Sequence, residues 1–488
     1  MNDLAIELKP DTGKCMYQQI YEYIRNEIRE GKLQRDEKLP STRSLAEYLQ
    51  IARSTVDSAY SQLLAEGYIV SKPCRGYFVS GVEELFDFSG GEEMQKAAGQ
   101  KAPSDAFSEQ FGSEEAKKED SAVQYDFSPH GISMKYFPYA TWKRITREIL
   151  VDANSEMFAL GDARGDLELR TTISRYLHSA RGVSCRPEQI IIGAGTDFLL
   201  MLLEKILGRH VPIAMENPTY GRAYRVFRSF AYEIKTIPMD ENGMSVKELK
   251  KSGARVAYVM PSHQYPTGVV MPIGRRLELL KWAEQAEDRF LIEDDYDSEF
   301  RYKGKPIPAL QASDRTGKVI YMGTFSKSIA PAIRVGYMVL PMPLLKKYEE
   351  NCGFYASTVS RIDQRILNEF IRDGYFERYL NKMRKIYKEK HDFLMEQLKG
   401  FESGFRISGE NAGLHVLLTS KKNVKEQELL FAAREWGIRL YGLSDTLSGA
   451  PDLKNQQNAT ILLGYGALSP GEIEEGTALL KKAFREYL

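Results

Sequence analysis

Tyr321-Met322-Gly323-Thr324-Phe325-Ser326-Lys327-Ser328-Ile329-Ala330-Pro331-Ala332-Ile333-Arg334-Val335-Gly336-Tyr337 is the stretch on which the reading of the larger part of the chain turns. A short apolar strand feeds a turn of small hydroxyl residues, a single lysine stands in that turn, and an arginine follows seven positions on. The arrangement suits a lysine that holds an aldehyde cofactor as a Schiff base while hydroxyls and a guanidinium hold a phosphate. Taken alone, the same residues also describe a surface lysine in a polar loop.

Outward from this stretch, amphipathic helices alternate with short apolar strands: Gln189-Ile190-Ile191-Ile192, Ile213-Ala214-Met215, Val256-Ala257-Tyr258-Val259, Phe290-Leu291-Ile292 and Val319-Ile320-Tyr321-Met322. That alternation predicts an α/β fold with a largely parallel sheet covered on both faces, whose chemistry sits at the carboxyl ends of the strands. The loops there are informative. Gly193-Ala194-Gly195-Thr196-Asp197 opens a helix and offers free N–H groups as a phosphate seat. Three more loops follow in order: Glu216-Asn217-Pro218-Thr219-Tyr220-Gly221-Arg222, Pro261-Ser262-His263-Gln264-Tyr265-Pro266-Thr267-Gly268 and Glu293-Asp294-Asp295-Tyr296-Asp297-Ser298-Glu299-Phe300. Lys327 follows the last strand.

In that order and spacing, the loops resemble the fold-type I, aspartate-aminotransferase-like family of pyridoxal 5′-phosphate enzymes, from about residue 125 to the C-terminus. The resemblance implies that Lys327 forms the internal aldimine and that Asp294 keeps the pyridine nitrogen protonated, with the adjacent Asp295 as its competitor. It implies further that Tyr296 donates to the ring's phenolic oxygen, that Tyr220 stacks on the ring, and that Gly195, Thr196, Ser326 and Arg334 hold the phosphate. Three departures stand out. Leu462, in Ile461-Leu462-Leu463-Gly464-Tyr465-Gly466, occupies the place of the substrate-carboxylate arginine of most aminotransferases. Leu160 stands at an aromatic position, and Tyr265 replaces the asparagine of Asn-Pro-Thr-Gly. Arg222 can receive an effector carboxylate in bidentate fashion or pair with Glu216.

The first eighty residues have a different grain. Tyr17, Ile20, Tyr21, Ile24 and Ile28 recur at helical spacing, and Gly31 ends the run. Ser41 reads as the N-cap of a second helix carrying Leu45, Ala46 and Leu49, and a third runs from Arg53 to Leu64. Tyr68-Ile69-Val70 and Gly76-Tyr77-Phe78-Val79 read as a two-stranded wing. This is a winged helix-turn-helix. Tyr17-Gln18-Gln19-Ile20, Leu39-Pro40-Ser41-Thr42-Arg43, Arg53-Ser54-Thr55-Val56 and Glu66-Gly67-Tyr68 resemble the DNA-binding domain of the GntR family of bacterial regulators. By that resemblance Arg43, Arg53, Ser54 and Thr55 meet phosphates and base edges, while Lys72 and Arg75 of the wing meet the backbone or minor groove.

The predicted organisation is therefore a multidomain chain: a GntR-type head over 1–80, a flexible acidic linker over 81–124, and an aminotransferase-like effector domain over 125–488. A head, linker and body in this order resemble the MocR subfamily of transcriptional regulators. The resemblance implies pyridoxal phosphate as cofactor and double-stranded operator DNA as partner. It also implies a small amine, amino acid or B6 vitamer as effector, and a homodimer, commonly head-to-tail. An active aminotransferase with a DNA-binding appendage is the alternative. Composition is compatible with both readings. The 488 residues are 43% apolar and 27% charged with zero formal net charge, so DNA binding must come from a local patch. Four scattered cysteines give neither metal spacing nor a disulfide framework, and the first residues lack a signal-peptide pattern. The longest apolar stretch, near Phe198 to Leu207, is too short for a membrane span. The expectation is a soluble cytoplasmic protein without metal.

Overall fold

The computed structural model describes residue 6 and residues 15–72, 75–80, 123–302, 307–410, 412–447 and 458–488. Of the linker read at 81–124, all but the last two residues lie outside the described residues, as do Pro73 and Cys74 of the wing turn. The chain divides into two compact units, 1–115 and 116–488.

In the first unit, α1 (Met16–Arg29) is stopped at Gly31, whose φ of 71° needs no Cβ. Ser41 caps α2 (Thr42–Leu49) by accepting from the Ser44 N–H at 3.1 Å, the expected N-cap bond. α3 (Arg53–Ala65) follows after a short turn. β1 (Ile69–Lys72) and β2 (Gly76–Val79) pair antiparallel, Ile69 opposite Val79. Ile20, Ile24, Ile28, Val56, Ala59 and Leu63 are fully buried between these elements. At about 1.5–3 kcal/mol for each large apolar side chain, this core is what holds so small a unit together. Tyr17, read on the same helical stripe, stands exposed instead, and Leu49 and Leu64 are only half-buried at the rim.

The second unit begins with β3 (Tyr125–Asp126), which pairs with a late strand described below. Its main sheet contains β4 (Ile190–Gly193), β5 (Ile213–Asn217), β6 (Ile234–Asp240), β7 (Gly243–Met244), β8 (Val256–Val259), β9 (Phe290–Asp295), β10 (Val319–Thr324) and β11 (Gly336–Val339). The order across the sheet is β4-β11-β10-β9-β8-β5-β6-β7. β10, β9, β8, β5 and β6 are mutually parallel, whereas β11 runs antiparallel to both β10 and β4. The sequence pattern did not single out β11, β6 or β7. β11 begins inside the quoted stretch itself, and it brings Gly336 opposite both Thr324 and Gly193. Apolar clusters cover both faces, as the unbroken apolar runs of β8, β9 and β10 require.

A smaller sheet follows, formed by β12 (Phe405–Ser408), β13 (His415–Ser420), β15 (Tyr441–Gly442) and β16 (Thr460–Gly464), in the order β12-β13-β16-β15. β14 (Ile438–Arg439) pairs in parallel with β3, so the start of this unit is tied to its C-terminal lobe. Among the described residues no helix is long and apolar enough to cross a membrane, and no cluster of His, Cys, Asp or Glu could hold a metal ion.

Candidate functional site

A cavity of about 490 Å³ opens at the carboxyl ends of the parallel strands. Thr196, Tyr220, Arg222, Asp294, Tyr296, Ser326, Lys327 and Arg334 all line it. The sheet explains the convergence. Parallel pairing sets Asp294 of β9 beside Met322 of β10, and Lys327 sits in the one-turn helix Phe325–Ser328 immediately after β10. The Thr324 hydroxyl starts that turn by accepting from the Ser326 N–H at 3.1 Å. On the neighbouring strands, the antiparallel return of β11 carries Arg334 against Gly195. A Cβ added at Gly195 would stand 2.6 Å from the Arg334 guanidinium, so only glycine, here at φ 86°, allows the approach.

Lys327 is half-buried in the cavity wall. Its Nζ donates to the Pro129 carbonyl at 2.9 Å, and burial pushes its pKa down to about 8 despite the opposing pull of Asp297. Without a carboxylate contact, the ammonium has little to repay its lost hydration, so the neutral amine is favoured. Asp294 is buried and accepts from the Tyr258 hydroxyl. Burial raises its carboxyl to about 7, with Asp295 and Asp297 adding repulsion and the Tyr258 bond opposing it. Such a carboxyl gains from a buried cationic partner, which a protonated pyridine nitrogen provides. The Ser326 hydroxyl is buried and has no hydrogen-bond partner among the described residues. An unpaired hydroxyl, a glycine-arginine cradle, a helix N-terminus, a neutral-leaning lysine and a buried carboxyl together fit a phosphorylated pyridine aldehyde.

Adjacent carboxylates separate cleanly. Asp294 faces the cavity, while Asp295 points to the opposite side of the sheet, where it meets Arg181 at 2.8 Å and the Tyr321 hydroxyl at 2.5 Å. Successive residues on a strand must face opposite ways. Arg222 does not pair with Glu216, which is fully buried. Its Nη1 lies 3.3 Å from Asp197, and Arg334 reaches the same carboxylate at 3.3 Å.

Several lining residues went unread in the sequence. His130 stacks on Tyr265 with ring centroids 5.1 Å apart and lies edge-on to Tyr220. Its Nε2 stands 3.3 Å from the Tyr265 hydroxyl, and burial, with Lys327, His415 and Arg222 around it, lowers its pKa to about 3. Arg225, Tyr441 and Asp445 complete the wall near Leu462, itself buried. His130, Tyr441 and Asp445 come from outside the strand-end loops of the main sheet, so no local motif marks them.

In the first unit, Arg43, Arg53 and Ser54 are exposed on α2 and α3, and Thr55 is half-buried. Arg43 pairs with Glu47 at 3.0 Å and Arg53 with Asp57 at 3.5 Å, each one helical turn away. Lys72 lies over the Phe78 ring and bonds Asp36 at 2.8 Å, and Arg75 stands exposed at the wing turn. Ala52 offers no side-chain cap to α3. The first N–H groups of that helix are thus free of such a partner, as a phosphate-facing N-terminus requires.

Residues 16–79 match the bacterial regulatory proteins of the gntR family, and residues 134–439 match aminotransferase class I and II. The chain is 33% identical to the probable rhizopine catabolism regulatory protein MocR of Rhizobium meliloti, over 98% of this chain and 95% of that one. It belongs to the MocR subfamily of GntR-family regulators. Another relative, the HTH-type transcriptional regulator YdeL of Bacillus subtilis (strain 168), is 39% identical over 96% of this chain and 97% of its own length. Among solved structures, the multiple substrate aminotransferase of Thermococcus profundus superposes with a TM-score of 0.68 at 26% identity, covering 80% of this chain and 97% of that one. The MocR-type body thus has the fold-type I aminotransferase fold, which implies pyridoxal phosphate binding, and the GntR head implies DNA binding.

Proposed function

We propose that this transcriptional regulator senses a small amine, amino acid or B6 vitamer in the Lys327 cavity and converts occupancy into a change of operator affinity. The observation that carries the reading is the buried Lys327 amine, set among Asp294, Ser326 and Arg334 in a chain that also bears a winged helix-turn-helix. Pyridoxal phosphate, when bound, supplies an aldehyde reactive towards amines and a ring that withdraws electrons. The chain's own residues do the rest. Arg334, Gly195, Thr196 and Ser326 hold the phosphate; Asp294 neutralises the ring nitrogen; Tyr220 covers the ring face; Tyr296 hydrogen-bonds the phenolic oxygen. Lys327, with its pKa lowered to about 8 by burial, has a larger neutral fraction near physiological pH than an exposed lysine and would be the amine that engages the cofactor's aldehyde. Arg222 receives the effector's acidic group by exchanging Asp197 for it.

Arg43, Arg53, Ser54, Thr55, Lys72 and Arg75 form the DNA face, and two heads in a homodimer raise an affinity that one nearly neutral head lacks. Phe158, Leu160 and Phe354, all exposed on the single chain, support such pairing. Occupancy acts on DNA only if the effector prefers one of two arrangements of the protein. The domain boundaries 1–80, 81–124 and 125–488 are retained as part of this reading, as is a cytoplasmic setting.

The test is operator binding, followed by fluorescence anisotropy on DNA flanking the protein's own gene. Measurements compare cofactor-free protein, protein with pyridoxal phosphate, and protein with added amines. Wild type should change affinity and Lys327→Ala should not; a Lys327→Ala protein that still switches would sink the role of the lysine. Turnover of amino-acid donors with 2-oxo acids would favour the catalytic alternative, which the buried Leu462 at the carboxylate position disfavours.

A further inference from the structure

Beneath the cavity, a buried group of polar side chains lies beside the residues already assigned. His263 and Asp297 are each about 2% exposed. The His263 Nδ1 stands 2.9 and 3.1 Å from the two Asp297 oxygens and 3.0 Å from the Tyr296 hydroxyl. Its Nε2 is buried without a partner. Gly413, at φ 77°, packs against the ring so closely that any side chain there would collide with it.

One nitrogen cannot donate to a carboxylate and accept from a phenol at once. An ionised carboxylate only accepts, so opposite a charged Asp297 the hydrogen between the two side chains sits on the His263 Nδ1. Tyr296 cannot then donate to His263, and its oxygen can only share the Nδ1–H. The phenol keeps its own proton, since burial and the neighbouring Asp297 carboxylate, to which it is hydrogen-bonded, hold its pKa well above the usual value. Within the chain the Tyr296 hydroxyl has a second acceptor in the Asp297 carboxylate, for which the His263 Nδ1–H, facing both Asp297 oxygens, competes. Tyr296 also lines the cavity, where an acceptor can take its proton instead.

We propose that the Asp297–His263 pair is a positioning device: the Nδ1–H of His263 occupies the Asp297 carboxylate and so frees Tyr296 to donate its proton into the cavity. This rests on the reading that the cavity holds pyridoxal phosphate, whose phenolic oxygen is the acceptor. His263 and Asp297 touch neither cofactor nor effector; they act through Tyr296. The other ionisable groups around the pair are His415, Lys327, Asp294, Tyr265, Glu299, Tyr302 and Tyr465. The His415 ring lies 5.6 Å from His263, and burial lowers its pKa to about 4. The His415 Nε2, 2.9 Å from the Pro266 carbonyl, must be its protonated nitrogen, so His415 is committed elsewhere.

A donor aimed at the phenolic oxygen stabilises its anionic form and lowers the proton affinity of the cofactor chromophore. The experiment is a pH titration of the visible band of pyridoxal phosphate bound to the full-length protein. Compared with wild type, Tyr296→Phe should raise the midpoint by about one pH unit, a tenfold change in proton affinity. His263→Phe should move it in the same direction, Asp297→Asn should give a smaller rise, and His263→Phe should add nothing in a Tyr296→Phe background. A His263→Phe protein that titrates like wild type, or shifts that add in the double variant, would overturn the inference. If wild type shows no cofactor band that Lys327→Ala abolishes, the cofactor reading fails first and this inference with it. Nitrogen-15 NMR of the cofactor-free protein checks the tautomer without any variant having to bind cofactor, the His263 signals being assigned by their loss in His263→Phe. A protonated Nδ1 supports the proposal, and a protonated Nε2 with bare Nδ1 overturns it.

Discussion

The head and the body use polar residues in opposite ways. In the head, Arg43, Arg53 and Lys72 lie at the surface and pair with Glu47, Asp57 and Asp36 over short contacts that solvent screens. Such pairs stabilise little, so exchanging the acidic partner for a phosphate costs little. In the body, Arg181, Asp294, Asp295, Asp297, His263 and Lys327 are removed from water, and each carries a desolvation penalty that its neighbours must offset. Binding in the head therefore exchanges one exposed pair for another, whereas binding in the body completes a set of groups that the fold leaves short of partners.

The largest effect should come from the structural side of the sheet. Arg181→Met strands the Asp295 carboxylate and should cost about 3–5 kcal/mol in denaturant unfolding of the body. The direct contacts around Lys327 should remain, so cofactor retention should change far less than stability does. If retention collapses in step, the division of labour between Asp294 and Asp295 is wrong.

Asp294→Asn tests the other face through pH. The Asp294 pKa is raised in the folded protein, so it contributes stability that is full below its unfolded value near 4 and lost as pH rises through about 7. In cofactor-free protein the variant should therefore gain on wild type between pH 4 and 8, on the order of 3 kcal/mol. Thermal unfolding across that range checks the sign, and a gap that shrinks with rising pH refutes it. Cofactor affinity should fall in the same variant.

Smaller effects are expected in the head. Arg53→Ala should weaken operator binding roughly ten- to a hundredfold, while the head's unfolding shifts by less than about 0.5 kcal/mol because the side chain is exposed. Lys72→Ala should weaken binding evenly across sequences and reduce the slope of log affinity against log salt by about one. A loss of stability in either variant comparable to that of Arg181→Met would erase the contrast.

Much of the cavity was legible beforehand because its parts sit in short loops after apolar strands, and strand order alone collects those loops at one edge. Thr196, Tyr220, Asp294 and Lys327 are examples. His130 was not legible, because it lies in an irregular segment with no period and reaches the cavity only after the chain has wound back under Lys327. β11 was hidden because its four residues begin only two positions after Arg334 and resemble the end of a loop. The Asp197 bridge between Arg222 and Arg334 joins residues far apart in the chain, and nearness in sequence pointed to Glu216 instead.

The sequence by itself determined the two kinds of unit, the alternating strands and helices of the body, and the lysine on which the cavity turns. Periodicity and residue chemistry are local properties, and they need only neighbouring residues to be expressed. Tertiary structure alone decided which of two adjacent aspartates faces the cavity, which carboxylate holds the two arginines, and which buried groups surround His263. Those outcomes depend on the pleat of β9, the return of β11 and the packing of Gly413, which bring together atoms that no local pattern connects.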